Sequence, residues 1–501
     1  MTPRREQLEV ERTYDVSAGF SLPDLTSLPG VATVDEPVSL ALEAVYVDTA
    51  DLRLLSARTT LRRRTGGQDD GWHLKLPAPG GDRIEVHRPV GRVSTTPPVA
   101  LRRLVTARSA GATLEPVATL RTERTLRVLR DADGEALAEL CFDAVTATSP
   151  RDEATRMWTE LEVELSGGDR SLLDAVEGHL LTAGAGVAET PSKLRRALGE
   201  PPAAPSYDSD TAGGVVLGSI AQLVDTLAEW DVALRRDQPR SVHQMRVTIR
   251  RLRSMLAVSR RLLEREVTEP VRSGLAEIAA VLGVVRDDEV FRGNLSELFD
   301  EASGELDVAA ARRRVLKALS GEEREHRAAM QRALDSDAYM ELWASLRALL
   351  LDPPLTDAAA RPPRKELGKA VRKTWKRLDA DRDLLAAMGP GQDRDEAVHE
   401  LRKAGKRLRY AVDEAGPTLS TPASEEMSRR LKRFQEHAGS LRDDQLAVLR
   451  VAELAERLTS DSFVLGHLHG VLTARVAQRM ESLDVEAERL AAPKERKKLT
   501  R

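Results

Sequence analysis

Hydrophobic and polar positions alternate with a period of two through most of the first 200 residues. The stretches "LEVERTYDV", "EAVYVDT", "TTLRRRT", "GWHLKLP", "RIEVHRPV", "RTERTLRVL" and "TELEVELS" put Leu, Val, Ile or Tyr on one face. Their other face carries Glu, Arg or Lys, and glycine- or proline-bearing turns separate them. This pattern predicts strands, with short helices around 50–57, 100–109 and 171–183. For a single strand, a charged face is a solvated face. When most strands of one domain carry both signs at alternate positions, a closed sheet with a charged interior explains them together. A barrel of about eight strands is wide enough to enclose a ligand.

Beyond "EPPAAPSYDSDTAGG" (200–214), a linker by composition, the period becomes helical, with long runs rich in Ala, Leu, Arg and Glu. A second break, "LLLDPPLTDAAARPPRK" (349–365), divides the helical half. The expected organisation is a barrel domain over 1–200, a linker over 201–214 and a helical domain over 215–492. The helical domain divides into parts near 215–350 and 365–492, and the basic tail "PKERKKLTR" occupies 493–501. The fold class is α+β multidomain: an eight-stranded antiparallel barrel, then an all-α duplicated helical bundle.

The duplication is visible in the residues. "VHQMRVTIRRLRSML" (242–256) matches "VHELRKAGKRLRYAV" (398–412), and "LGVVRDDEV" (282–290) matches "AGSLRDDQL" (438–446), both at an offset of 156. His243, Arg246, Arg250 and Arg253 follow i, i+3, i+7, i+10 spacing and share one helix face; His399, Arg402, Lys406 and Arg409 repeat it. Seven arginines and one glutamate lie between Arg246 and Arg265, and "RKAGKRLR" (402–409), which includes Lys403, has five basic residues and no acid. Like charges at helical spacing repel by a few tenths of a kcal/mol per pair, so two such rows point to a bound polyanion. Asp287 and Asp443 are placed to orient the arginines.

Composition narrows the chemistry. At 501 residues, two or three domains are expected. One cysteine, Cys141, excludes a disulfide framework and a cysteine-clustered zinc site. A metal would need carboxylate ligands, which suit Mg²⁺ or Mn²⁺. The first residues carry no signal-peptide pattern, and no apolar run approaches the ~20 residues that span a bilayer; a cytoplasmic protein is expected. Aromatics are 3% of residues and net charge is −4, which disfavours nucleic acid, whose bases recruit aromatic stacking. A slim polyphosphate chain needs only arginines and lysines along a groove. The "H-x-x-R-x-x-x-R/K-x-x-R" row followed by "G-x-x-R-D" resembles the CHAD domain, over roughly 213–490. That resemblance implies a helical module that binds inorganic polyphosphate, here through His243, Arg246, Arg250, Arg253, His399, Arg402, Lys403, Lys406 and Arg409.

The inward-facing positions of the first half read as Glu9, Glu11, Arg62, Arg64, Lys75, Glu85, Arg121, Glu139, Glu160, Glu162, Glu164 and, after a short helix, Lys193. Carboxylates stand mainly at the two ends of this list and cations in the middle, the division that a triphosphate with divalent ions requires. "EVERT" (9–13), with "TLRRRT", "GWHLKLP", "TELEVEL" and "SKLRRAL", resembles the CYTH family of triphosphate tunnel metalloenzymes over roughly 5–200. The resemblance implies an eight-stranded tunnel and metal ligands Glu9, Glu11, Glu162 and Glu164. It also implies triphosphate contacts from Arg62, Arg64, Lys75, Arg121 and Lys193, and a catalytic set of Glu9, Glu11 and Lys75. The family signature is E-x-E-x-K, and Thr13 stands where it has lysine.

Two functions follow as expectations. One is a polyphosphate-binding protein, cytoplasmic and associated with polyphosphate granules, whose tunnel hydrolyses inorganic triphosphate with Mg²⁺ or Mn²⁺. The other is a non-catalytic polyphosphate-targeting module, favoured by Thr13.

Overall fold

In this computed structural model residues 5–489 are described, apart from 68, 90–94, 153, 191, 304–307, 389–391 and 420–421. The basic tail at 493–501 lies outside the described residues. The chain forms two compact units, Met1–Ala204 and Pro205–Arg501. Among the described residues no helix is long and apolar enough to cross a membrane.

The first unit is one antiparallel sheet. Its strands are β1 (Arg5–Glu9), β2 (Glu11–Asp15), β3 (Thr33–Val34), β4 (Val38–Asp48), β5 (Thr60–Thr65) and β6 (Gly71–Pro77). Then follow β7 (Arg83–Pro89), β8 (Glu115–Arg130), β9 (Ala136–Thr148), β10 (Thr155–Leu165) and β11 (Gly186–Val187). Neighbours run β1-β7-β6-β5-β4-β8-β9-β10-β2-β11, with β3 added beside β8. Only Val10 separates β1 from β2, yet β1 pairs with β7 and β2 with β10. The N-terminal segment thus meets both ends of the sheet and curls it round a tunnel, with two-residue β11 as the edge beyond β2. Among the described residues the strands number eleven rather than eight; counting β1 and β2 as one strand and setting aside the two-residue β3 and β11 leaves eight.

Helices α1 (Arg53–Ser56), α2 (Val99–Leu104), α3 (Thr106–Ser109) and α4 (Arg170–Thr182) lie in the expected stretches to within one residue. Helix α5 (Lys193–Leu198) was not legible from period, because six residues carry too little of it. Ser192 caps its start and Gly199, at φ 79°, ends it. On one flank of the sheet Tyr14, Leu140, Leu161 and Val163 pack under Leu172, Leu173, Val176 and Leu180 of α4. The Asp169 side chain caps α4 by accepting from the backbone N–H groups of Ser171 and Leu172. A Leu180→Ala change in that fully buried layer would cost about 2–5 kcal/mol. Ala44, Tyr46, Ala118, Leu120, Val145 and Ala147 pack with Leu194 and Ala197 of α5. Val145 and Ala147 share the β9 face of Asp143. The interior is therefore charged in its middle and apolar where α5 packs.

The second unit is helical: α6 (Ala212–Arg235), α7 (Ser241–Val258), α8 (Arg265–Ala302), α9 (Ala309–Leu334), α10 (Asp337–Leu351), α11 (Pro363–Ala386), α12 (Gln392–Leu419), α13 (Pro422–Arg457) and α14 (Ser462–Arg489). At the 156-residue offset α6 to α9 answer α11 to α14, and α10 has no counterpart. The repeats interlock, since α7 packs on α12, α6 on α11 and α8 on α13. Val242, Met245, Ile249, Leu252 and Leu256 form the buried stripe of α7, and Leu401, Ala404, Leu408 and Ala411 that of α12. The basic row of each helix flanks its stripe.

Candidate functional site

Alternation on the curled sheet turns one side chain in two toward the interior. The cavity there has a volume of about 510 Å³. Seven carboxylates line it, from Glu9, Glu11, Asp69, Glu85, Glu139, Glu162 and Glu164, beside five cations, from Arg62, Arg64, Lys75, Arg124 and Lys193. Cross-strand register puts Glu139, Glu164 and Glu11 side by side on β9, β10 and β2.

Lys75 Nζ lies 2.6 Å from Glu9 Oε2 and 3.8 Å from Glu11 Oε2. Burial disfavours its charge, but Glu11 and Glu9 outweigh burial and hold its pKa above the ordinary lysine value. Glu9 is raised by burial despite Lys75. Burial and the neighbouring Glu9 push Glu164 up to about 8. Glu9, Glu11 and Glu164 thus crowd around one ammonium. An all-oxygen set short of positive charge fits a hard divalent cation.

A second acidic group, Asp143, Glu160 and Glu162, has ligand atoms within 4.8 Å of one another and could also bind a metal. Lys193 Nζ stands among them, 3.0 Å from Asp143 Oδ2 and 2.5 Å from both Glu160 Oε1 and Glu162 Oε1. Arg124 makes a two-pronged pair with Asp143 at 2.7 Å and reaches Glu162 Oε2 at 3.0 Å. Burial would raise the Glu162 pKa, but Lys193 and Arg124 hold it well below the usual carboxylate range. Glu162, expected as a metal ligand, is thus engaged by cations of the protein itself, as Glu9 is by Lys75. Arg196 NH1 bonds Asp15 at 2.6 Å and Glu160 at 3.2 Å, which fastens α5 and with it Lys193.

On β5, Arg62 NH1 donates to Tyr46 OH at 2.9 Å and Arg64 pairs with Asp69. The Nε atoms of both arginines are buried with no hydrogen-bond partner among the described residues. Burial and the adjacent Arg62 lower the Arg64 pKa. Two unsatisfied donors in a cationic wall suit anionic oxygens. His73 Nδ1 is 3.1 Å from Glu85, and burial lowers its pKa. Gly71 must be glycine beside it, because a Cβ there would lie 2.5 Å from the Arg88 carbonyl oxygen.

Of the residues expected in the tunnel, Glu9, Glu11, Arg62, Arg64, Lys75, Glu162, Glu164 and Lys193 line one cavity and Arg121 does not. Arg121 points outward, its side chain 74% exposed and 3.0 Å from Glu43. Arg124 is the β8 cation in the cavity, and the sequence reading missed it. "RTERT" has charges at both parities, so alternation alone cannot choose the face. Thr13 is buried opposite Glu162, its Oγ1 without a partner among the described residues. It lines a smaller cavity of about 240 Å³ that it shares with Glu9 and Glu11.

In the second unit Arg246, Arg250, Arg253, Arg402, Lys406 and Arg409 are all half-buried, and the charges of Arg250 and Arg246 act on Lys406 across the α7–α12 contact. Arg246 NH1 donates to Gly283 O at 2.8 Å and pairs with Asp287 at 3.4 Å, while Asp443 acts on Arg402. The second aspartates of the two "RDD" segments do different work. Asp288 is buried and holds His326 at 2.6 Å and Arg450 at 3.1 Å, and Asp444 holds Arg479 at 3.0 Å. His243 and His399 are held below the ordinary histidine value, chiefly by burial and then by neighbouring cations. Lys403 does not join the row: it is exposed and pairs with Glu400 at 2.7 Å.

The family models of the CYTH domain and the CHAD domain match residues 7–197 and 218–452. Two uncharacterized proteins of Mycobacterium tuberculosis, one from each of two strains, are 33% identical over 487 residues, which is 92% of this chain and 92% of theirs. Among solved structures, the CHAD domain from the plant Ricinus communis is similar at 23% identity and a TM-score of 0.46, over 58% of this chain and 95% of its own. HpAC1 from Hippeastrum, assigned as an adenylyl cyclase and found to have a dominant triphosphatase activity, is similar at 17% identity and a TM-score of 0.24, over 37% of this chain and 92% of its own. A curled, charged sheet in the first unit and a duplicated helical second unit agree with both domain matches, and the chain belongs to the family in which a CYTH domain is followed by a CHAD domain.

Proposed function

We propose that this is an inorganic polyphosphate protein whose tunnel binds triphosphate, or the end of a longer chain, with a divalent cation and hydrolyses it. The observation that carries this reading is the polarity of the cavity. Glu9, Glu11 and Glu164 form one pole, and Arg62 and Arg64, with unsatisfied buried Nε donors, belong to the cationic part of the same wall. Carboxylates outnumber cations along the lining, so a bare triphosphate would be repelled and a bound cation is needed for it to enter. Glu9, Glu11 and Glu164 would hold Mg²⁺ or Mn²⁺, and the ion would supply charge withdrawal from the phosphoryl group. Arg62, Arg64, Arg124 and Lys193 would fix phosphate oxygens by charge-assisted hydrogen bonds. Lys75 orients Glu9 and Glu11 and adds a positive charge beside the reacting phosphate.

The helical unit would bind polyphosphate through Arg246, Arg250, Arg402 and Lys406, which would also suit association with polyphosphate granules in the cytoplasm. A second reading, a targeting module without turnover, is favoured by Thr13, which offers no charge where the family signature has lysine. Losing one fixed positive charge near a reacting phosphate costs on the order of 2–4 kcal/mol of transition-state stabilisation. Purified protein with tripolyphosphate and Mn²⁺ separates the two. Phosphate release abolished by Glu11→Ala supports the enzyme; binding without release supports the module.

A further inference from the structure

The two basic rows, one from each repeat, meet. Helix α7 packs on α12, and the side chains that bear most strongly on Lys406 are Arg402 and Arg409 of its own helix with Arg250 and Arg246 of α7. Arg250 acts on Arg402 as well. Positions related by the repeat, Arg246 with Arg402 and Arg250 with Lys406, therefore surround one centre. From α13, Asp443 and Arg442 face Arg402. From α11, Leu378 lies against Gly405. The acids of the cluster, Asp287 and Asp443, act on Arg246 and Arg402, and none is among the strongest influences on Lys406. The Nε atoms of Arg250 and Arg402 are buried with no hydrogen-bond partner among the described residues.

We propose that this shared site binds polyphosphate together with one proton from solvent, and that Lys406 is the group that takes the proton up. The inference rests on the reading that the helical unit binds polyphosphate. A lysine set among four arginines loses charge because its ammonium is both desolvated and repelled. Burial, then Arg402, Arg250, Arg246 and Arg409, bring its pKa to about 7. Phosphate oxygens placed among those guanidiniums reverse the local field and restore the ammonium. The matching position in the first repeat is Arg250, and a guanidinium does not release its proton in this range. The pseudo-symmetric pair therefore has one responsive and one fixed member. His243 and His399 lie below the ordinary histidine value, held there by burial and neighbouring cations.

The sign follows from linkage. The bound state holds the proton more tightly than the empty one, so affinity is highest below pH ~7. It falls as pH rises toward the ordinary lysine range, by up to about tenfold per pH unit for one proton.

The test titrates the full chain with long-chain sodium polyphosphate in EDTA, at fixed ionic strength, between about pH 6.5 and 9.5, by calorimetry in two buffers of different ionisation enthalpy. The expected result is a falling affinity above pH ~7 with buffer-dependent heat equal to about one proton taken up. Lys406→Arg removes both effects and binds tightly throughout. Arg250→Lys adds a second responsive position and steepens the slope. A wild-type slope that survives in Lys406→Arg, or no slope in wild type, overturns the proton coupling while leaving polyphosphate binding intact. No binding at any pH overturns both.

Discussion

Lys75 Nζ lies 2.6 Å from Glu9 Oε2, with both side chains nearly enclosed by the curled sheet. A buried carboxylate that loses its closest cation is costly, on the order of 3–5 kcal/mol, unless it takes a proton. Lys75→Met should therefore destabilise the protein by roughly 3 kcal/mol at pH ~8 and by less at acid pH, because burial already raises the Glu9 pKa and loss of Lys75 raises it further. Denaturant unfolding at the two pH values checks this. An equal loss at both would mean that the pair is not electrostatically coupled.

Glu164 gives the metal-free protein a signature of its own. Its folded-state value, about 8, lies above the unfolded value of 4.5. The folded state thus binds this proton more tightly, and the stability it contributes is lost as pH rises from about 4.5 to about 8. Saturating Mn²⁺ should flatten that loss, and Glu164→Gln should remove this residue's part of it. Thermal unfolding across pH, with EDTA and with Mn²⁺, gives the comparison.

Arg121 and Arg124 are three residues apart and should behave as opposites. Arg121→Ala, on the exposed face, should change stability by less than ~0.5 kcal/mol and leave tripolyphosphate binding unchanged. Arg124→Ala removes the two-pronged partner of fully buried Asp143 and should cost on the order of 3 kcal/mol. Arg124→Lys, which keeps the charge but not the fork, should restore much of the stability and still weaken tripolyphosphate binding about tenfold or more.

Thr13→Lys tests the departure from the family signature. The position is buried opposite Glu162, beside the smaller cavity it shares with Glu9 and Glu11. If the missing charge limits the chemistry, the new ammonium should raise tripolyphosphate turnover about 10²-fold or more at similar affinity. An unchanged rate in a folded variant would show that the charge is supplied elsewhere in the tunnel.

Much of this architecture was legible because period and chemistry agreed. "TELEVEL" has strict alternation, so Glu160, Glu162 and Glu164 could be placed on one face without ambiguity. On β8 the same rule failed, since Arg121, Glu123 and Arg124 put charge at both parities and only the sheet register selects Arg124. Lys193 came from a family motif rather than from period, its helix being one and a half turns long. The duplication was plain at an offset of 156, but that α7 and α12 would bring Arg250 and Lys406 into one cluster depends on packing between distant segments. Glu162 shows the same limit. Its place was readable, while its capture by Lys193 and Arg124 depends on partners far away in sequence.

The most direct test of the tunnel assignment is calorimetric titration of tripolyphosphate into the full chain with and without Mn²⁺, repeated with Glu11→Ala and Arg62→Ala. High salt suppresses the helical unit's screened contribution. Tunnel binding should appear only with the metal and be lost in both variants, because one removes a proposed metal-binding carboxylate and the other a proposed phosphate-binding guanidinium. Equal binding in EDTA, or binding indifferent to both substitutions, would contradict it.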